Sequence, residues 1–231
     1  MNTVYDTFPG RLRLWRGAVL ATIAHAIGVA ADPMLSYELS WDGINYSRQD
    51  GQGTRGTVTF APSATVAVFR DDSSARMPGR SGNQYDLDWF FRGVPAEVMV
   101  LARNEALQYV LDEYEGKVSP VITAAFWGNA STLNAAEPWA EVFRHGAHLI
   151  STELAEPEAA IVQWTEYHDL SDAQSNLLRV LYTRRVEVKD SEVILGKREC
   201  AALAHKGADG IEESRELLAA VGIKLVALRS L

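Results

Sequence analysis

The sequence predicts an α+β protein: an antiparallel β-meander over about residues 36–70, packed with several helices, with further short strands in the C-terminal half. Three observations carry this reading. Residues 37–69 run as short segments broken by Asp42-Gly43, a glycine-rich stretch and Pro62-Ser63-Ala64, the punctuation of consecutive hairpins. Apolar residues recur at three- and four-residue spacing over 11–31 and again after 171, the repeat of a helix face. Ser171-Asp-Ala-Gln174 has the capping-box pattern, in which a serine and a glutamine three residues on satisfy each other's free amides.

The elements follow in order. Leu12, Trp15, Val19, Ile23 and Ile27 line one side of a buried amphipathic helix, stopped at Ala31-Asp32-Pro33 because the residue before proline avoids helical geometry. Arg11, Arg13 and Arg16 ahead of an alanine-rich run resemble an export signal, but a ten-residue leader with Asp6 precedes them and His25 interrupts the run. The apolar run is also short for a membrane span. In the meander, Tyr37, Leu39 and Trp41, then Ile44 and Tyr46, Val58 and Phe60, and Val66 and Val68 alternate with polar residues, which predicts one buried face.

Asp71–Gln84 reads as an exposed polar loop. Pro95–Tyr114 is expected to be one long helix closed by Gly116, and Val118–Trp127 a buried strand. Pro138–Leu154 fits helix or strand, and Ala159–Tyr167 favours strand. A helix from Ser171 to about Arg185 precedes short strands at Val186–Lys189 and Val193–Leu195. Helices at Glu199–Lys206 and Ile211–Val221 lead through Gly222 to a closing strand, Ile223–Leu228.

The 231 residues are 47% hydrophobic and 23% charged, the balance of a globular chain. No repeat or linker interrupts it, so a single domain over 1–231 is expected, with 1–84 and 85–231 as substructure. Such a chain buries about 70% of its unfolded surface and needs no metal or disulfide. The one cysteine, Cys200, excludes an intrachain bridge and suits a reducing, cytoplasmic setting. The net charge of −8 is uneven: residues 81–170 hold 4 basic and 14 acidic side chains. That field repels nucleic acid and membrane surfaces and attracts a basic partner.

Several motifs point to chemistry. Gly51-x-Gly53-x-x-Gly56-x-Val58 resembles the protein-kinase glycine-rich loop, whose backbone amides approach phosphate oxygens. The resemblance ends there: Arg70 stands where a lysine is required, and neither the catalytic His-Arg-Asp loop nor an Asp-Phe-Gly triplet occurs. Arg144-His145-Gly146 resembles the phosphate-binding triplet of histidine phosphatases, displaced past the middle of the chain. Glu187-Val-Lys189 resembles the strand motif of metal-dependent nucleases without the upstream aspartate. The helix–strand–helix order of 171–206, with Arg179, Arg184, Arg185, Lys189, Lys197 and Arg198, resembles a winged helix, yet acidic residues interleave with the bases. Neither His-Glu-x-x-His nor Cys-x-x-Cys is present, so no metal and no cofactor is expected.

The composition and charge favour a non-enzymatic partner-binding protein, of the inhibitor, immunity or assembly-subunit kind, that docks a basic protein surface. The expected face combines Tyr85, Asp86, Asp88 and Trp89 with Asp112, Glu113 and Glu115, since aromatic anchors and steering charges are what interfaces use. Two alternatives stand beside it: a phosphate- or nucleotide-handling enzyme using Gly51, Gly53 and Gly56, and a winged-helix-like nucleic-acid binder in the C-terminal region. The oligomeric state is left open.

Overall fold

The computed structural model describes residues 10–80, 85–114, 116–187 and 192–225. The fold is α+β, and the chain divides into two compact units, one of residues 1–15 and 42–151, the other of residues 16–41 and 152–231.

The first unit is built on the meander. Strands β2 (Asn45–Gln49), β3 (Thr54–Phe60), β4 (Thr65–Asp71), β7 (Ala124–Gly128) and β8 (Leu133–Asn134) form an antiparallel sheet in that order; β1 (Leu39–Asp42), which precedes β2, falls mostly among the residues of the second unit. The sheet is covered on both sides. On one, Val66, Val68, Ala125 and Trp127 pack with Phe90 and Phe91 of a 3-10 turn (Asp88–Phe91), and with Val98 and Ala102 of α2 (Ala96–Asn104). On the other, Phe69 and Phe126 meet with ring centroids 5.8 Å apart, and Phe126 meets Trp139 of α3 (Trp139–Arg144) at 5.6 Å. Each such ring withdrawn from water contributes roughly 1.5–3 kcal/mol.

All seven residues of β4 are buried, so the expected half-exposed meander is in fact two-sided. The sequence disguises this with threonine. Thr59 donates its hydroxyl proton to Asn45 Oδ1 at 2.6 Å, and Thr65 donates to the Thr59 carbonyl at 2.8 Å. Residues that look solvated are therefore buried with their polar atoms satisfied.

Three expected boundaries move. Tyr37 and Glu38 belong to a 3-10 turn (Pro33–Glu38) started by Asp32, whose carboxylate accepts the Met34 amide, rather than to the first strand. The β1–β2 turn is Gly43-Ile44, with Gly43 at φ +58°, one residue later than expected. The long helix over Pro95–Tyr114 stops at Asn104, because Glu105 leaves helical geometry (φ −123°, ψ −93°) and its carboxylate accepts from Asn45 Nδ2 at 2.7 Å. A 3-10 turn (Ala106–Tyr109) follows. The rest of the segment forms β5 (Leu111–Tyr114), antiparallel to β6 (Lys117–Pro120), with Gly116 at φ +72° in the turn between them. The expected single strand Val118–Trp127 is thereby split into β6 and β7.

The second unit gathers most of α1 (Arg11–Ala31), α5 (Pro157–Tyr167), α6 (Asp172–Glu187), α7 (Lys197–Leu203) and α8 (Ile211–Ala220); α4 (Ser151–Leu154) begins at its edge. It also holds the parallel pair β9 (Val193–Leu195) and β10 (Ile223–Leu225). Every residue of α1 from Ala18 to Ala30 is buried, Thr22 and His25 included, so this stretch is buried on all sides rather than on one face as expected. By length and composition it could cross a membrane, and in the fold it is largely buried. Close packing needs Gly17 and Gly28, where a Cβ would strike the Glu153 carbonyl and the His168 ring.

The capping box forms as expected: Ser171 Oγ accepts the Gln174 amide at 3.3 Å, and Gln174 Oε1 accepts the Ser171 amide at 3.1 Å. Ala159–Tyr167 is helix and not strand, opened by Pro157 in the first turn, a position where proline loses nothing. Val186 and Glu187 end α6 rather than starting a strand; Val188 and Lys189 lie outside the described residues, as do the last residues of the expected closing strand. Gly222 takes the left-handed conformation (φ +77°) foreseen for it.

Candidate functional site

The polar chemistry of the first unit converges at the end of β4. Arg70 is buried there, its side chain 10% exposed, and it pairs with Asp72 through Nε at 2.6 Å and with Asp112 of β5 through Nη1. Burial opposes its charge, but the two carboxylates outweigh that cost and hold the guanidinium protonated. The Arg70 hydrogen bond, aided by the Glu113 amide, holds the Asp112 carboxyl below the usual carboxylate range. Arg70 therefore acts as an electrostatic pin between the sheet and the β5–β6 hairpin.

The seven residues expected to form a binding face separate into distinct roles. Tyr85 is half-buried: its hydroxyl donates to the Ile122 carbonyl at 3.2 Å and accepts the Ile122 amide at 2.7 Å. Burial pushes its pKa up to about 12. Asp86 is exposed but accepts the amides of Asp88 and Trp89, shaping the turn. Asp88 lies 3.6 Å from Arg103. Trp89 carries two arginines over its ring, Arg92 at 4.6 Å and Arg76 at 5.2 Å, so its face is already used for cation–π contact. Asp112 is turned to Arg70, Glu113 is exposed, and Glu115 lies outside the described residues.

The glycine-rich segment is a hairpin turn. Asp50 Oδ1 accepts the amides of Gln52 and Thr54, both at 2.8 Å. Gly53 has φ +95° and lies against Asp72, while Gly56 is inside β3, where a Cβ would enter the Phe69 ring. A kinase-type loop leaves such amides for phosphate; here a carboxylate takes two of them, and a second carboxylate stands alongside.

The loop after β4, expected to be exposed, is anchored. Arg76 binds both carboxylate oxygens of Glu137, whose side chain is 7% exposed, and donates to the Thr123 carbonyl at 3.1 Å. Ser74, 5% exposed, places its Oγ 2.8 Å from His145 Nδ1, and Glu141 Oε2 lies 3.5 Å from His145 Nε2. Burial, reinforced by the nearby Arg76 charge, lowers the His145 pKa against the opposing pull of Glu141 and Glu137. Gly146, at φ +145°, lets the chain turn tightly over Phe69 and so aims the ring of its neighbour. The sequence marked Arg144-His145-Gly146 only through its resemblance to a phosphatase triplet; the neighbours His145 has here, Ser74, Arg76 and Glu137, are distant in sequence.

Other candidates resolve plainly. Cys200 is buried, and burial together with Glu199 raises its thiol pKa, the opposite of an activated nucleophile. Three of the six bases of the winged-helix reading are engaged: Arg179 with Glu158, Arg184 with Glu199, and Arg185 with the Val221 carbonyl. The strand β9 pairs in parallel with β10 rather than forming a wing hairpin. Among the described residues no group of three His, Cys, Asp or Glu side chains could hold a metal. An open cleft of about 530 Å³ beside β7 is bordered by Arg92, Glu97, Trp127, Asn129 and Asn134. Compared with known proteins, the chain matches no family model, no curated protein and no solved structure.

Proposed function

We propose that this is a partner-binding protein that docks a basic protein surface, and that the β5–β6 hairpin is its contact element. One observation carries the reading. Strand alternation puts Leu111 and Glu113 on one face of the hairpin, with their cross-strand neighbours Pro120 and Val118. On that face Leu111 is 40% exposed and Val118 is 73% exposed, and Glu113, paired across the strands with Val118, is exposed as well. Exposed β-branched and leucine side chains beside an acid suit a partner with apolar residues ringed by lysine or arginine. The opposite face carries Asp112, tied to Arg70, which gives the ribbon a rigid base.

The experiment compares the wild-type chain with Leu111→Ser/Glu113→Lys/Val118→Ser as baits in lysate of the native host at low and moderate salt. A stoichiometric basic protein held by the wild type, released by the triple variant and weakened by salt supports the reading. Equal capture by both baits overturns it.

A further inference from the structure

We propose that Ser74, His145 and Glu141 form a nucleophile, general base and positioning carboxylate for acyl transfer from small esters, an activity separate from the hairpin. The geometry is an ordered chain: one hydrogen bond, Ser74 to His145, and a carboxylate on the far side of the ring. Glu141 Oε2 stands 3.5 Å from His145 Nε2, which favours the tautomer carrying its proton there. Nδ1 is then a lone pair, and Ser74 Oγ lies 2.8 Å from it, in position to donate. The Arg76 amide donates to the same Oγ at 3.1 Å, so the hydroxyl proton is directed at the ring. The backbone holds this arrangement: Thr123 Oγ1 donates to the His145 carbonyl at 2.5 Å and accepts the Asp71 amide at 2.9 Å.

The ring's surroundings set its protonation. Arg76 on the loop and Arg144 on α3 disfavour a second proton, Glu141 and Glu137 favour it, and burial is the largest influence, so the imidazole is neutral at pH 7. A neutral imidazole is the form a general base requires. In the first half-reaction Ser74 Oγ bonds to the acyl carbon as its proton passes to Nδ1. The ester C–O bond breaks, and the departing alcohol oxygen takes that proton. In the second half-reaction water adds to the acyl-Ser74, giving its proton to Nδ1, and Ser74 leaves with it, releasing the carboxylic acid. Ser74 is 5% exposed and the His145 side chain 14%, so the proposed substrates are restricted to small esters, since a bulky acyl group has no room to reach the hydroxyl.

The full chain is treated with p-nitrophenyl acetate and, separately, with a small fluorophosphonate, and the adduct is located by peptide mass spectrometry. The expected result is a single adduct on Ser74, lost in Ser74→Ala and slowed about 100-fold or more in His145→Asn. The rate should rise with pH to a plateau, with a midpoint below the ordinary histidine value of about 6.5. Glu141→Gln should move that midpoint to lower pH, since the carboxylate favours the protonated ring; a purely structural role would leave the profile unmoved. No adduct on Ser74 in the folded wild type, which requires no variant to fold, overturns the proposal. So does labelling that Ser74→Ala leaves unchanged.

Discussion

The hydroxyl of Tyr85 replaces a strand for Ile122: it accepts the Ile122 amide at 2.7 Å and donates to the Ile122 carbonyl at 3.2 Å. A backbone position at the break between β6 and β7 is thereby satisfied by a side chain. Tyr85→Phe keeps the ring packing and strands the Ile122 amide, so it should cost about 1–3 kcal/mol, read as a fall in urea midpoint at constant slope. The folded phenol titrates near pH 12 against about 10 when unfolded. Its contribution is therefore full below pH 10 and lost as pH rises toward 12, a loss absent in the phenylalanine variant.

Arg70 and Asp112 make a pH-dependent clasp. The carboxyl is depressed in the fold, so its contribution is present above the unfolded value of about 3.9 and disappears as pH falls through the folded one. Asp112 is 41% exposed, and solvent screening keeps the effect to about 1 kcal/mol or less. Asp112→Asn should flatten the stability profile below the unfolded value of about 3.9, measured by denaturation at fixed pH steps.

Arg76 and Glu137 hold the loop after β4 to the sheet. Removing the guanidinium leaves a carboxylate 7% exposed without its bidentate partner, and Arg76→Ala should cost about 3–5 kcal/mol. The same variant should make residues 72–80 a protease-sensitive site, seen by limited trypsin or subtilisin digestion. Glu137→Gln, which retains hydrogen bonding, should cost less.

The glycines of the 51–56 segment should separate by environment and not act as a set. Gly56→Ala pushes a methyl into the Phe69 ring and should cost about 1–3 kcal/mol. Gly53→Ala forces a left-handed φ of +95° beside Asp72, a strain of about 1–3 kcal/mol. Gly51→Ala, at an exposed position, should stay within about 0.5 kcal/mol. Thermal denaturation of the three variants tests this. A nucleotide that protects the wild type and loses its effect in Gly51→Ala would mark the turn as a ligand site instead.

Some features were legible in the chain because their causes are local. The end of α1 at Ala31-Asp32-Pro33, the Ser171–Gln174 capping box and the left-handed Gly222 each depend on neighbours within four residues, and each stands where the sequence put it. The α+β class followed from the same local signals summed along the chain. Tertiary structure decided the rest. The helix expected over Pro95–Tyr114 yields to a hairpin because Asn45, sixty residues away, takes Glu105, and Arg70 takes Asp112. The threonines of β3 and β4 read as a solvated face until their partners across the sheet bury them. The Ser74–His145–Glu141 chain joins residues up to 71 positions apart, and hydrogen bonds across such distances leave no periodicity in the sequence, because only the closed fold brings their atoms within reach.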